Sequence, residues 1–161
     1  MVRAYGNLWG MTVEVVEAGE HARPVLRRLV ELYRYDFSEF DDADVDPHGE
    51  FGYRYLDNYW TESDRHAYLV RCDGRWAGFA LVRSGDPHDM AEFFVMRKYR
   101  RSGVGREVAR EVLRRFPGRW TVRQLLTNRT ATDFWRATIP YPFIERQADG
   151  ENIIEFSVGE G

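Results

Sequence analysis

The stretch that most constrains this chain lies at residues 91–116, AEFFVMRKYRRSGVGREVAREVLRRF. Phe93, Phe94, Val95 and Met96 form an apolar run rich in aromatic and β-branched residues, the pattern of a buried strand. A basic loop follows, and then Val104, Val108, Val112 and Leu113 recur at helical spacing. Strand, loop and helix therefore meet at Gly103 and Gly105. A helix N-terminus presents unpaired backbone N–H groups and the positive end of the helix dipole, so it receives anions. The glycines lack a Cβ and let the backbone approach a ligand closely. Around them stand Arg97, Lys98, Arg100, Arg101 and Arg106, which supply charge-assisted hydrogen bonds to phosphate oxygens. A phosphate or pyrophosphate is the expected ligand. A P-loop is excluded because no Lys and Ser/Thr follow a second glycine, and the dinucleotide fingerprint lacks its first glycine. A turn leading into a solvated basic helix face is the alternative these residues leave open.

The run Val95-x-x-x-Tyr99-Arg100-Arg101-Ser102-Gly103-Val104-Gly105 resembles the acetyl-CoA signature of the GNAT N-acetyltransferases, Gln/Arg-x-x-Gly-x-Gly/Ala after a strand. Arg100, Gly103 and Gly105 fill it. A strand at residues 120–126 and then Asn128-x-x-Ala131-x-x-Phe134-Trp135 repeat a second family feature in the right order. The resemblance covers roughly residues 13–156. It implies an α+β fold: a mixed, mostly antiparallel twisted sheet of six or seven strands flanked by about four helices. The strands ending near Met96 and starting near Trp120 would splay apart to admit the pantetheine arm of acetyl-CoA. Backbone groups of Phe93, Phe94 and Val95 would then meet the acetyl carbonyl and pantetheine amides. The N–H groups of Arg101, Ser102, Gly103, Val104, Gly105 and Arg106, with Arg100, would hold the pyrophosphate, and Asn128 would touch the pantetheine. No metal is required.

The implied reaction is direct attack of an amine on the acetyl thioester. A protonated amine has no lone pair, so a base must collect its proton, help that contributes about 10²–10⁴-fold. The family often places that base four or six residues before the valine matching Val95, here Ala91 and Asp89. Alanine cannot act, so alignment assigns Asp89. Glu92 is the rival, because a β-bulge in this strand would change the face it presents, and His88 is a third candidate. The family's general-acid tyrosine is replaced by Trp135, whose indole cannot protonate a thiolate. Tyr141 is its substitute if the chain folds back. Ile139-Pro140 replaces the Gly-Phe that commonly follows the helix. Three functions are thus open: acetyl-CoA-dependent N-acetyltransferase on a small-molecule or peptidic amine, a non-catalytic acyl-CoA-binding module, and generic phosphate or nucleic-acid binding.

Charge decides against the last of these. The net charge is −3, and it is unevenly placed: residues 97–115 are strongly basic, whereas residues 36–50 carry seven carboxylates and no Lys or Arg. Two oppositely charged sites fit that asymmetry better than a nucleic-acid surface does. From residue 36 to 64 aromatic side chains (Phe37, Phe40, Tyr53, Tyr59 among them) alternate with the carboxylates of Asp36, Glu39 and their neighbours. Such walls suit a cationic amine, the alternative being a solvated acidic loop over core aromatics. Asp42, Asp44 and Asp46 resemble the start of a calcium loop, but Pro47 and Tyr53 occupy the positions of its glycine and closing glutamate, which excludes an EF-hand.

The 161 residues, 43% of them hydrophobic, suit one domain spanning 1–161, with residues 1–10 read as an N-terminal extension. No apolar run is long enough for a membrane span and no signal peptide is legible, so a cytoplasmic location is expected. The single cysteine, Cys72, reads as core filler. Strands are expected at residues 13–16, 66–72 and 76–83, the latter two joined at Asp73-Gly74. Helices are expected from Pro24 to near Asp36, after Gly105 until Pro117-Gly118, and at residues 130–137. Leu26, Leu29, Leu32 and Tyr33 form the first helix's apolar stripe. A final hairpin turns at Asp149-Gly150, and with the aromatic excess it fits a homodimer.

Overall fold

A computed structural model of the chain describes residues 3–6 and 10–159. The elements run β1 (Arg3–Gly6), β2 (Thr12–Glu17), α1 (Arg23–Asp41), β3 (Arg65–Cys72), β4 (Arg75–Arg83), β5 (His88–Val95), α2 (Val104–Arg114), β6 (Gly118–Leu125), α3 (Arg129–Thr138), β7 (Phe143–Ala148) and β8 (Glu151–Val158). Short 3₁₀ turns occupy Glu20–Ala22, Leu56–Trp60 and Arg97–Tyr99. The strands make one twisted sheet in the order β1-β2-β3-β4-β5-β6-β8-β7. Every neighbouring pair is antiparallel except β5 and β6.

The architecture is the expected α+β one, with three differences in detail. Eight strands replace six or seven, because Arg3–Gly6 inside the expected extension pairs with β2 as an edge strand. Residues 1–2 and 7–9 of that extension lie outside the described residues. Three α-helices are present among the described residues rather than about four, since residues 42–55 contain Pro47 and two glycines with positive φ, Gly49 and Gly52, and form no helix. The first helix runs on to Asp41, one turn and more past Asp36, and ends where Asp42 enters the left-handed region at φ 57°. Its apolar stripe continues through Phe37 and Phe40, so the period does not stop at the carboxylate.

Two of the turns behave as their residues require. Asp73 and Gly74 (φ 49° and 77°) and Asp149 and Gly150 (φ 53° and 79°) both hold the paired positive φ of a two-residue hairpin. The sheet is covered on both faces. On one side α2 and α3 bury Val104, Val108, Val112 and Leu113 against Val13, Val70, Met90, Trp120 and Ile154. On the other, Leu26, Leu29 and Val30 of α1 pack with Leu56 and Tyr59 on Leu69, Phe79, Leu81 and Phe94. Cys72 is buried and free, as a core filler should be. Among the described residues, no helix is long and apolar enough to cross a membrane.

The β5–β6 junction positions everything that follows. These two strands pair only through His88 with Trp120 and Asp89 with Thr121, and beyond that point they part. Each remains held by an antiparallel neighbour on its far side, β4 and β8 respectively. Along β4 the register slips between Leu81 and Val82: Leu81 faces Glu92 while Val82 faces Met90, leaving Ala91 as the extra residue of a β-bulge. At the other end of the same pair, an ideal Cβ on Gly78 would sit 2.0 Å from the Phe94 carbonyl oxygen. Gly78→Ala is therefore expected to push β4 from β5 and cost about 1–3 kcal/mol, read as a lowered urea midpoint at unchanged m-value.

Candidate active site

Where β5 and β6 part, a cleft of about 530 Å³ opens. Its floor is Phe93, Phe94 and Val95; one end is the glycine junction, one wall is α3 and the opposite wall is the second half of α1. The backbone of β5 explains why a ligand can be received there. Met96 N–H donates to the Ala77 carbonyl at 2.8 Å, toward β4. In an antiparallel pair the direction alternates, so Phe93 and Val95 turn their N–H and C=O groups the other way, into the gap that β6 has vacated. Their side chains point to the α2/α3 core, and that of Phe94 to the α1 core.

At the junction Gly103 holds φ 82° as the N-cap of α2, with no side chain capping the helix. The first N–H groups of α2 are thus open to an anion. An added Cβ at Gly103 would meet nothing within 4 Å, so its role is conformational. Gly105 differs: a Cβ there would stand 3.1 Å from the Phe134 ring, so the missing side chain makes room for α3. Arg101 and Arg106 are exposed on the cleft and form no ion pair among the described residues. Arg97 and Arg100 are engaged by Asp36 of α1. Arg97 Nη2 lies 2.6 Å from Oδ1, and Arg100 Nη2 lies 2.6 Å from Oδ2. Arg100 Nε donates to the Val95 carbonyl at 2.7 Å. Burial pushes the Asp36 carboxyl up, but hydrogen bonds from Arg100 and Arg97 outweigh it and hold it below its ordinary value.

The sequence-level family model for "Acetyltransferase (GNAT) family" matches residues 26–138, well over half the chain. The chain belongs to the GNAT acetyltransferase family. Solved structures of similar fold include the GNAT domain of S. lividans PAT, at 15% identity and TM-score 0.72, covering 98% of this chain and 97% of that one. The PaiA N-acetyltransferase of Thermoplasma acidophilum, in complex with coenzyme A, matches at 11% identity and TM-score 0.66, over 91% and 99% of the two chains. The ribosomal-protein-S18-alanine N-acetyltransferase of Escherichia coli matches at 13% identity and TM-score 0.62, over 91% and 94%. No curated protein matches the sequence.

Of the residues that the GNAT signature singles out, Phe93, Phe94, Val95, Arg100, Arg101, Gly103, Gly105, Arg106 and Asn128 line the cleft together. Asn128 also caps α3, its Oδ1 accepting from Ala131 N–H at 3.1 Å. Ser102 and Val104 do not line it. The Ser102 hydroxyl donates to the Tyr99 carbonyl at 2.6 Å and Val104 is wholly buried, so each has only backbone to offer a ligand. Tyr141 is also elsewhere, stacked on Phe156 with ring centroids 6.0 Å apart. Trp135 is in the cleft wall, packed edge-on against Phe93 at 5.1 Å. Of the acidic and aromatic segment, Asp36, Phe37, Glu39 and Phe40 reach the cleft. Asp41 instead pairs with Arg34, and Asp46 accepts from the N–H groups of His48 and Glu50.

The three candidate bases are separated by the bulge. His88 lies where β5 and β6 still pair; its Nδ1 accepts from Gly85 N–H and its Nε2 donates to the Pro117 carbonyl, both at 2.9 Å. Asp89 lies beside Thr121, outside the cleft lining, and burial raises its carboxyl against the opposing pull of Arg123 and Thr121. Glu92 lies past the bulge on the α1 side. There the Tyr33 hydroxyl donates to its Oε2, and the Tyr53 hydroxyl adds a second hydrogen bond. Burial pushes Glu92 up to about 7 despite both bonds. Tyr53 is brought in by its loop, whose Phe51 and Gly52 N–H groups donate to the Glu31 carboxylate at 2.8 and 2.7 Å.

Sequence reasoning placed Tyr33 in the core stripe and passed over Glu31. The signal for Tyr33 was its hydroxyl, the one polar atom in an otherwise apolar helix face. The raised Glu92 pKa also sets a sign for stability. A carboxyl that binds its proton more tightly folded than unfolded contributes stability that is fully present below the unfolded value of about 4.3 and is lost as pH rises through the folded one. Wild-type stability toward urea is therefore expected to decline between about pH 4.5 and 7 in a way that Glu92→Gln flattens; an identical slope in the variant would mean Glu92 titrates normally.

Proposed function

We propose that the protein transfers an acetyl group from acetyl-CoA to a primary amine of a small-molecule or peptidic acceptor, by direct attack in the cleft between α1 and α3. The observation that carries this reading is one of coincidence. A single cleft joins an uncapped helix N-terminus with two arginines that form no ion pair among the described residues, a strand edge with unpaired backbone groups, and a wall of aromatic rings that also carries the Glu39 carboxylate. The first suits pyrophosphate, the second suits the amides of a pantetheine arm, and the third suits a cationic amine. Acetyl-CoA would supply the activated thioester carbonyl.

In this reading the N–H groups from Arg101 to Arg106 hold the pyrophosphate, helped by Arg101 and Arg106. The Phe93 and Val95 backbone orients the thioester, and a Phe93 N–H turned into the gap stabilises negative charge as it develops on the carbonyl oxygen. Glu92 is assigned as the base. Its position on the α1 side, behind Tyr33 of the cleft wall, and its upward shift match what a base working near neutral pH requires. Asp89 and His88 lie where the sheet is still closed. The departing thiolate needs no tyrosine, since thiols ionise not far above neutrality. The second reading, a non-catalytic acyl-CoA-binding module, is favoured by Trp135 standing in the tyrosine's place and by Tyr141 lying on Phe156.

Calorimetric titration with acetyl-CoA, with desulfo-CoA and ATP as controls at two salt concentrations, is the first test. Saturable binding of the CoA compounds but not ATP is expected, and its absence would end the proposal. Release of free CoA with putrescine, phenethylamine or a free dipeptide then separates enzyme from binding module. Gly103→Glu is expected to weaken acetyl-CoA binding at least about tenfold, whereas Gly103→Asn, which tolerates left-handed backbone, retains it. Equal binding by the two variants would remove the pyrophosphate assignment. Glu92→Gln is expected to lower kcat by about 10²-fold or more and to abolish an acid limb in kcat/KM near pH 7. Asp89→Asn should retain that limb; its loss there instead would move the base to Asp89.

A further inference from the structure

Glu92 is not on the wall of the cleft. Tyr33 is. The Tyr33 hydroxyl donates its hydrogen bond to Glu92 Oε2, so the tyrosine stands between the carboxylate and the space an acceptor would occupy. Its ring is fixed by aromatic neighbours on three sides: Phe37 and Phe79 at 5.6 Å between centroids and Phe94 at 5.8 Å. Packing of this kind suits a group that must keep one geometry through each turnover.

We infer that Tyr33 is a catalytic residue that relays the proton of the acceptor amine to Glu92. The inference rests on the acetyltransferase reading of this cleft. The ammonium form of the acceptor gives one N–H proton to the Tyr33 oxygen as the Tyr33 O–H proton passes to Glu92 Oε2. The tyrosine is neutral before and after, the carboxylate becomes a carboxylic acid, and the amine gains its lone pair. That amine forms the N–C bond to the acetyl carbonyl, the C–S bond breaks, and the second N–H proton leaves with the thiolate or to solvent. Glu92 then returns its proton to solvent, closing the cycle.

The surroundings favour a neutral tyrosine throughout. Burial, and then the adjacent Glu92 charge, raise the Tyr33 hydroxyl well above its ordinary value, so it does not accumulate as tyrosinate. The groups facing this pair are Arg34 on α1, Tyr53 on the loop, Tyr59 in the turn after it, and Asp89 on β5. Arg34 lowers both, while the Asp89 charge raises Glu92. Tyr53 also reaches Glu92, but it is absent from the cleft lining and cannot take a proton from a ligand there.

Tyr33→Phe keeps the ring and removes only the hydroxyl. With acetyl-CoA and the fastest of the three amines, its kcat is expected to fall by about 10²-fold with acetyl-CoA affinity unchanged. The loss should persist on the high-pH plateau, where Glu92 is ionised in both proteins. Full recovery on that plateau would mean Tyr33 only tunes Glu92, and the relay would be overturned; so would wild-type turnover by the variant. A second measurement needs no substitution: rates of the wild-type protein in mixtures of light and heavy water should curve with deuterium content, as two moving protons require, and a linear dependence contradicts the relay. No CoA release by the wild-type protein with any amine would overturn the acetyltransferase reading itself, and the relay with it.

Discussion

The structure depends on an interaction that stops. Parallel pairing between β5 and β6 is made at His88 and Asp89 and then abandoned, although both strands continue. Unpaired strand backbone away from water costs free energy comparable to lost hydrogen bonds, so a sheet that opens in its middle must satisfy those groups elsewhere. Here one of them, the Val95 carbonyl, is met by Arg100, and the rest face the open cleft. The opening persists because each of the two strands keeps an antiparallel partner on its far side. Strands β1 to β5 form one antiparallel ribbon and β6, β8 and β7 form a second, while the core beneath α2 runs across both and holds them in one sheet.

Everything with chemical potential lies along that seam because the elements on either side end there. The bulge at Ala91 reverses the alternation of β5 so that Glu92 reaches α1 while Phe93 and Val95 turn their backbone into the gap. Without the extra residue the carboxylate would fall on the α2 face, among Val104 and Val108, away from Tyr33 on α1. The same chain direction that frees the strand edge then carries it into the glycine junction, so open N–H groups of two kinds, strand and helix, face one cleft.

The local part of this was legible in the sequence. Apolar spacing, the Asp-Gly hairpins and the glycine junction are encoded within a few residues of one another, and they specify strands, turns and a helix start almost by themselves. Arg100, Gly103, Gly105 and Asn128 could be named because a spacing carries them. What could not be read is what distant segments do to each other. Asp36 looked like part of an acidic acceptor wall and instead neutralises Arg97 and Arg100 across the cleft. Gly105 stands in the cleft lining, and its missing side chain also makes room for Phe134, a residue of a distant helix. Tyr141 carried the right hydroxyl, yet Ile139 and Phe156 draw that segment into the core. The Glu92 pKa is the sum of burial by α1 and by a loop some forty residues upstream, and no local pattern records it.

Asp36 shows how the two halves of the site are made interdependent. Its carboxylate takes up part of the charge of two arginines in the signature loop, so the cofactor end of the cleft is less basic than residues 97–106 alone would make it. Those contacts are partly solvent-exposed, and as ion pairs they contribute little stability. Their consequence is geometric: they fasten α1, which carries Tyr33 and the acidic wall, to the loop that leads into the α2 N-terminus. Asp36 of α1 is thereby linked through Arg100 to the Val95 carbonyl, and the same helix holds Tyr33 against Glu92. The α1 wall and the glycine junction thus belong to one connected frame, and that frame is closed by a single aspartate.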